Sequence, residues 1–169
     1  VRILVAGIGN IFLGDDGFGP EVVRRLAADT QSPVPPGVRV EDYGIRGMHL
    51  AYDLLEDWDG LVLVDAVPDA GDPGALHVFE ADTTAREGAR VDAHAMDPGA
   101  VFASLAALGG QPPPTVVVGC QVAHVTDALG LSPAVAAAVD PAVAAVHRAV
   151  RLLARRGPVG VAAPGGKEG

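Results

Sequence analysis

The chain has 169 residues, about half of them hydrophobic (49%), and carries a formal net charge of −9. That length suits a single domain able to bury a core without disulfide or metal staples. The acidic balance excludes a general nucleic-acid partner, because neutralising phosphates takes clustered Lys and Arg; it is compatible with a cation or a basic peptide.

The first apolar run, Ile3–Val5, breaks into glycines at Gly7, Gly9 and Gly14. This predicts a buried strand over 2–6, a glycine-rich loop and then a helix. The helix is expected over 18–28, where Phe18, Val22 and Leu26 recur every fourth position beside Val23. Asp15 and Asp16 stand just ahead of it, where a carboxylate can cap free N–H groups and complement the helix dipole. Pro33, Pro35 and Pro36 force a loop. A strand over 38–42 follows, closed by Asp42-Tyr-Gly-Ile-Arg-Gly47. A helix over 48–56 places Met48, Ala51, Leu54 and Leu55 on one side. Leu61–Val64 has no polar alternation, as in a parallel-sheet strand covered on both faces, and it ends in Asp65.

A turn at 71–74 leads to a strand over 75–79. Residues 81–92 are polar and weakly patterned, hence loop, and His94 lies just beyond them. A helix over 98–108 carries Val101, Leu105 and Leu108. Pro112–Pro114 breaks the chain before a last, Val-rich strand over 115–120. A long helix over 133–154 keeps Val135, Val139, Val143, Val146, Val150 and Leu153 in helical register, with Pro141 expected to kink or interrupt it. Residues 157–169 are Gly/Ala/Pro-rich and read as a disordered tail. Residues 1–156 therefore read as one α/β domain, a three-layer sandwich with a mostly parallel central sheet flanked by helices on both faces.

Cys120 is the only cysteine, so no internal disulfide and no Cys-based zinc site can form. A reducing, cytoplasmic setting fits. No apolar run approaches the ~20 residues of a membrane helix, so no membrane span is expected.

Several side chains are candidates for chemistry. Gly7-x-Gly9 after a strand invites a dinucleotide reading, with Asp42 as a ribose partner, but Phe12 stands where the third glycine belongs and no P-loop is present. Asp16 is either a cap or a ligand. Asp65 ends a strand with no other polar group, so its carboxylate must be solvated or paired. At a strand end in a parallel sheet it is a site candidate. His94, taken alone, is an ordinary loop histidine. His49 and His77 are weaker, with His77 on a strand face; His147 is expected to face solvent, and His124 lies near the same sheet edge as the acids. Asp16, Asp65 and His94 follow different strands at one expected edge. Two oxygens and one imidazole nitrogen suit a borderline divalent ion such as Ni²⁺ or Zn²⁺, with positions left for substrate or water. A serine triad is disfavoured, because no GxSxG exists around Ser32, Ser104 or Ser132. Cys120 at a strand end is a weaker nucleophile candidate.

These stretches resemble the hydrogenase maturation endopeptidases. The resemblance rests on Gly7-Ile-Gly-Asn10, Gly14-Asp-Asp-Gly-Phe-Gly19, Asp42-Tyr-Gly-Ile-Arg-Gly-Met48, Val64-Asp-Ala66, His94 and Gly130-Leu-Ser-Pro133, in order up to about residue 154. It implies a three-layer α/β fold and removal of a short C-terminal extension from the large-subunit precursor of a [NiFe] hydrogenase. The family's acidic–acidic–His triad falls on Asp16, Asp65 and His94, with Asp16 one methylene shorter than the Glu of some members. Its acidic residue in the second glycine loop falls on Asp42. The resemblance further implies that nickel already loaded in the precursor is the recognition element, gripped by the triad, and that Asp42 assists as a general base or positions the chain. Zinc or another divalent ion can occupy such a site. Where many relatives have Glu-Pro, this chain has Gly119-Cys-Gln-Val-Ala-His124. The rival readings are a non-catalytic metal- or peptide-binding maturation chaperone on the same fold, and a nucleotide-binding domain.

Overall fold

In the computed structural model, residues 1–83 and 98–160 are described. Among the described residues, five strands, β1 (Ile3–Ile8), β2 (Val38–Gly44), β3 (Gly60–Val67), β4 (Leu76–Glu80) and β5 (Thr115–Gln121), form one sheet in the order β2-β1-β3-β5-β4. Among the same residues, four helices, α1 (Phe18–Ala28), α2 (Gly47–Asp53), α3 (Pro98–Ala107) and α4 (Pro133–Arg156), accompany them, with a 3-10 turn at Gly14–Gly17 ahead of α1. Every pairing is parallel except β4 with β5. The expected three-layer sandwich is therefore present.

Period-two alternation divides the core into two clusters. Ile3 and Val5 of β1, Val62 and Val64 of β3, and Val116 and Val118 of β5 pack under α1 and α4. Leu4, Ala6 and Ile8, Leu61 and Leu63, and Val117 face α2 and α3. Because β1 and β3 are buried on both sides, their sequences carry no polar alternation. Along α4, Val135, Val139, Val146, Val150 and Leu153 are buried at helical spacing; each contributes ~1.5–3 kcal/mol.

Two glycines set how closely α1 approaches the sheet. A Cβ on Gly19 would lie 2.3 Å from the carbonyl oxygens of both Ile8 and Val64. One on Gly7 would lie 2.7 Å from the Gly19 carbonyl oxygen. The first turn of α1 thus rests on the bare backbones of β1 and β3, at the point where the strand order reverses.

Three expectations are corrected. Pro141 does not interrupt α4, which runs unbroken over 24 residues. Pro141 and Ala137, whose carbonyl loses its helical partner, both lie on the exposed side, where water replaces the missing N–H. The packing stripe of α2 is Leu50, Ala51 and Leu54, whereas Met48 and Leu55 are exposed. His147 is half-buried, and its Nε2 is shut from solvent without a hydrogen-bond partner among the described residues. Of the expected tail, residues 157–160 are described, and the Val159 N–H donates to Asp59 at 2.9 Å; 161–169 lie outside the described residues.

Candidate active site at the carboxyl edge of the sheet

Asp65 is the sixth of the eight residues of β3 and lies opposite Gly119 of β5. It is 8% exposed, in a strand that is otherwise apolar. Alternation with Leu61 and Leu63 puts it on the α2/α3 face. Asp16 occupies the 3-10 turn that follows β1, and its Oδ2 accepts the Asn10 N–H at 2.7 Å. Gly9 lets this turn fold back: at φ +140°, a Cβ there would sit 1.9 Å from the Asp16 carbonyl oxygen. Asp16 therefore does not cap α1, whose first turn has no side-chain cap. A carboxylate, not a phosphate, takes up the Asn10 N–H, which removes a donor that a dinucleotide loop would need.

Asp42 lies near the carboxyl end of β2, opposite Gly7, and is exposed. Its Oδ1 accepts the Gly44 N–H at 2.9 Å, which fixes the carboxylate across the tight turn. Val38 and Val40 of the same strand pack toward α1 and α4, so Asp42 lies on the face opposite Asp65. Arg46 braces this loop by donating to the Asp42 carbonyl at 2.5 Å and the Tyr43 carbonyl at 3.3 Å. Beneath it, the Tyr43 hydroxyl donates to Asp53 at 2.6 Å, and Arg39 donates to the same oxygen at 2.7 Å. Burial and the Asp53 carboxylate push the Tyr43 phenol well above its ordinary range, so it stays neutral.

The third expected ligand, His94, lies outside the described residues. Its segment connects Thr83 to Pro98, and α3 packs on the face that Asp65 occupies. Among the described residues no group of three His, Cys, Asp or Glu side chains is placed to hold a metal. Asp16, in the turn after β1, and Asp65, on the adjacent β3, are hard oxygen donors.

The residue that sequence reasoning undervalued is Asp15. It is fully buried, and its carboxylate accepts four hydrogen bonds: from the N–H groups of Ala123 (2.8 Å), His124 (2.9 Å) and Ser132 (2.6 Å), and from the Ser132 hydroxyl (2.8 Å). Burial alone would raise its pKa, but the bonds from His124, Ser132 and Ala123 together hold the carboxyl below its usual range. Its own N–H donates to the His124 carbonyl at 3.0 Å, and the Gly14 N–H donates to Ala128 at 2.8 Å. Asp15 thus ties the first glycine loop to the loop after β5 and to the start of α4. His124 takes part through its backbone, while its side chain is exposed. Sequence offers only the acidic pair as a signal, because the partners lie more than a hundred positions away.

Cys120 is fully buried in the α1/α4 cluster. Burial, and then the Asp15 charge, push its thiol up to about 11, so it is no nucleophile. Gln121 joins the end of β5 to its surroundings. Its Oε1 accepts from the N–H groups of Ala70 (3.0 Å) and Asp72 (3.1 Å), and its Nε2 lies 2.7 Å from the His77 ring.

A family model described as hydrogenase maturation protease matches residues 20–149. The chain belongs to that family. This protease is 36% identical over 153 residues to the hydrogenase expression/formation protein HupD of Rhodobacter capsulatus, an alignment spanning 89% of this chain and 71% of that protein. It is 29% identical over 153 residues to the hydrogenase 2 maturation protease of Escherichia coli, spanning 89% and 92% of the two chains. Among solved structures, the protease is similar to the hydrogenase maturating endopeptidase HybD from Escherichia coli, with a TM-score of 0.74 and 28% identity over 90% of this chain and 93% of that one. It is accordingly a hydrolase acting on a peptide bond. None of its described helices is long and apolar enough to cross a membrane.

Proposed function

We propose that this protease removes the C-terminal extension of a nickel-loaded [NiFe] hydrogenase large-subunit precursor, and that the nickel it recognises belongs to the substrate. The observation that carries this reading is Asp65: a nearly buried carboxylate, 8% exposed, near the carboxyl end of an otherwise apolar central strand at the switch point of a maturation-protease fold.

In this reading Asp65, Asp16 and His94 receive the precursor's nickel and so set the register of its chain in the cleft. The nickel supplies charge that polarises the neighbouring peptide carbonyl. Asp42, fixed through Oδ1, takes the proton of the attacking water at Oδ2 and returns it to the leaving amine. Asp16 is oriented by the Asn10 N–H, and Asp15 keeps the whole turn in place.

The decisive experiment is cleavage of a nickel-loaded and a nickel-free precursor by the wild-type chain and by Asp65→Asn. The expected result is cutting of the loaded precursor only, lost in the variant while its circular dichroism is unchanged. Equal cutting of both precursors overturns nickel recognition. Binding of the loaded precursor without cleavage by the wild type overturns the enzyme and supports a maturation chaperone.

A further inference from the structure

Two clefts meet at Asp42 and Ile11, which line both. The smaller, about 270 Å³, runs between Asn10–Phe12 and Tyr43–Arg46. The larger, about 540 Å³, opens on the other side of Asp42, between the start of α1 and the start of α4. That volume falls in the range of sites that enclose a drug-sized ligand.

The larger cleft differs from the rest of the surface. Its wall is Pro20, Leu131 and Val139, with Ala136 on α4 beside them. Ile11 and Leu129 stand at its rim, 48% and 73% exposed. Its charged lining is two acids, Glu21 and Asp42, and two bases, Arg24 and Arg25, so it carries no net charge; Arg24 is held by both oxygens of Glu21 at 2.9 and 2.6 Å, and Arg25 reaches Asp140, outside the cleft, at 2.5 Å. In a chain of net charge −9, an apolar cleft with balanced charges does not select a basic peptide. It selects an uncharged, apolar one.

Resting on the function proposed above, we infer that the larger cleft binds the precursor segment on the carboxyl side of the cut bond, the extension itself, through its apolar side chains. A chain whose bond is cut beside Asp42 must leave in two directions, and a cleft leads away from Asp42 on each side. Asp65 lies on the face opposite the larger cleft. The nickel-bearing body of the precursor therefore takes the Asp65 side, and the extension takes the α1/α4 side. Ile11, at the junction, is shared by both halves of the substrate.

The test uses Ala136→Trp, which fills the cleft from an exposed helix position, and Leu129→Asp, which charges its rim; neither residue belongs to the proposed catalytic set. A synthetic peptide of the extension is titrated into the isotope-labelled full chain. Shifts are expected at Gly130, Leu131 and Ala136, with binding weakened roughly ten-fold in both variants. On nickel-loaded precursor, both variants raise KM roughly ten-fold with kcat unchanged, and wild-type KM rises similarly when the extension is trimmed to its first residue. Shifts confined to other surfaces, or unchanged KM in both variants, overturn the inference while leaving cleavage intact. Failure of the wild type to cut any precursor overturns the function instead, and the peptide titration still decides what the cleft binds.

Discussion

Asp15 keeps its charge where water does not reach, and four donors from two distant segments make that tolerable. Its neighbour Asp16 takes one backbone N–H and stays partly open. Side by side, the two acids differ in setting, Asp15 clasped by donors and Asp16 partly open, as its proposed role requires. Replacing Asp15 by Asn leaves backbone N–H groups facing an amide that cannot answer all of them, at a cost of about 3 kcal/mol near neutral pH, read by urea unfolding. The pH dependence follows from the direction of the shift. A carboxyl depressed in the native state stabilises it above the unfolded value of ~3.9, and that stability is lost as pH falls through the native value. The gap between wild type and Asp15→Asn is therefore flat from about pH 5 to 8 and closes only on the acid side of about pH 4. A gap that stays open in acid would refute the charged clasp.

Where α1 meets the sheet, two glycines stand where side chains would hold the helix further from the strands. Gly19→Ala places a methyl 2.3 Å from two carbonyl oxygens, and α1 must move away from β1 and β3 to admit it. The expected cost is ~2–3 kcal/mol of stability, with precursor cleavage lowered further because the turn bearing Asp16 leads directly into α1. Thermal melting and an activity assay on the same sample check both. The element boundaries explain what was legible. The span of α1 was readable to the residue, since its apolar spacing and its flanking turn agree. The strands at the site run further than expected, β1 to Ile8 and β2 to Gly44, because backbone pairing continues through glycines that end the apolar pattern. The length of α4 was also readable, but its passage through Pro141 was not: sequence alone does not say that the missing hydrogen bond falls on the wet side.

The molecule as a whole separates its acids by a sheet. Asp65 lies on the α2/α3 face, Asp42 on the α1/α4 face, and Asp16 in the turn that closes the edge between them. The roles proposed for them then split kinetically. Asp65→Asn is expected to weaken binding of nickel-loaded precursor, whereas Asp42→Asn keeps that binding and lowers kcat by roughly 10²–10⁴-fold. Equal loss of binding in both would merge the two roles. That these acids lie at one edge was legible from their positions after the apolar runs; that Asp42 and Asp65 lie on two faces was not, because alternation sets the face only once the strands are placed in one sheet, with Asp42 following Val38 and Val40 and Asp65 following Leu61 and Leu63. The expected His94 partner lies outside the described residues. The crowding at Gly9, where any side chain would collide with the Asp16 carbonyl, has a practical corollary. Redirecting this protease to a new precursor cannot proceed through Gly9, since any side chain there displaces the turn that carries Asp16. Among the described residues near the clefts, Ile11, Phe12, Ile45 and Leu129 point outward and leave room for variation, so a library over those four positions is where altered selectivity should be sought.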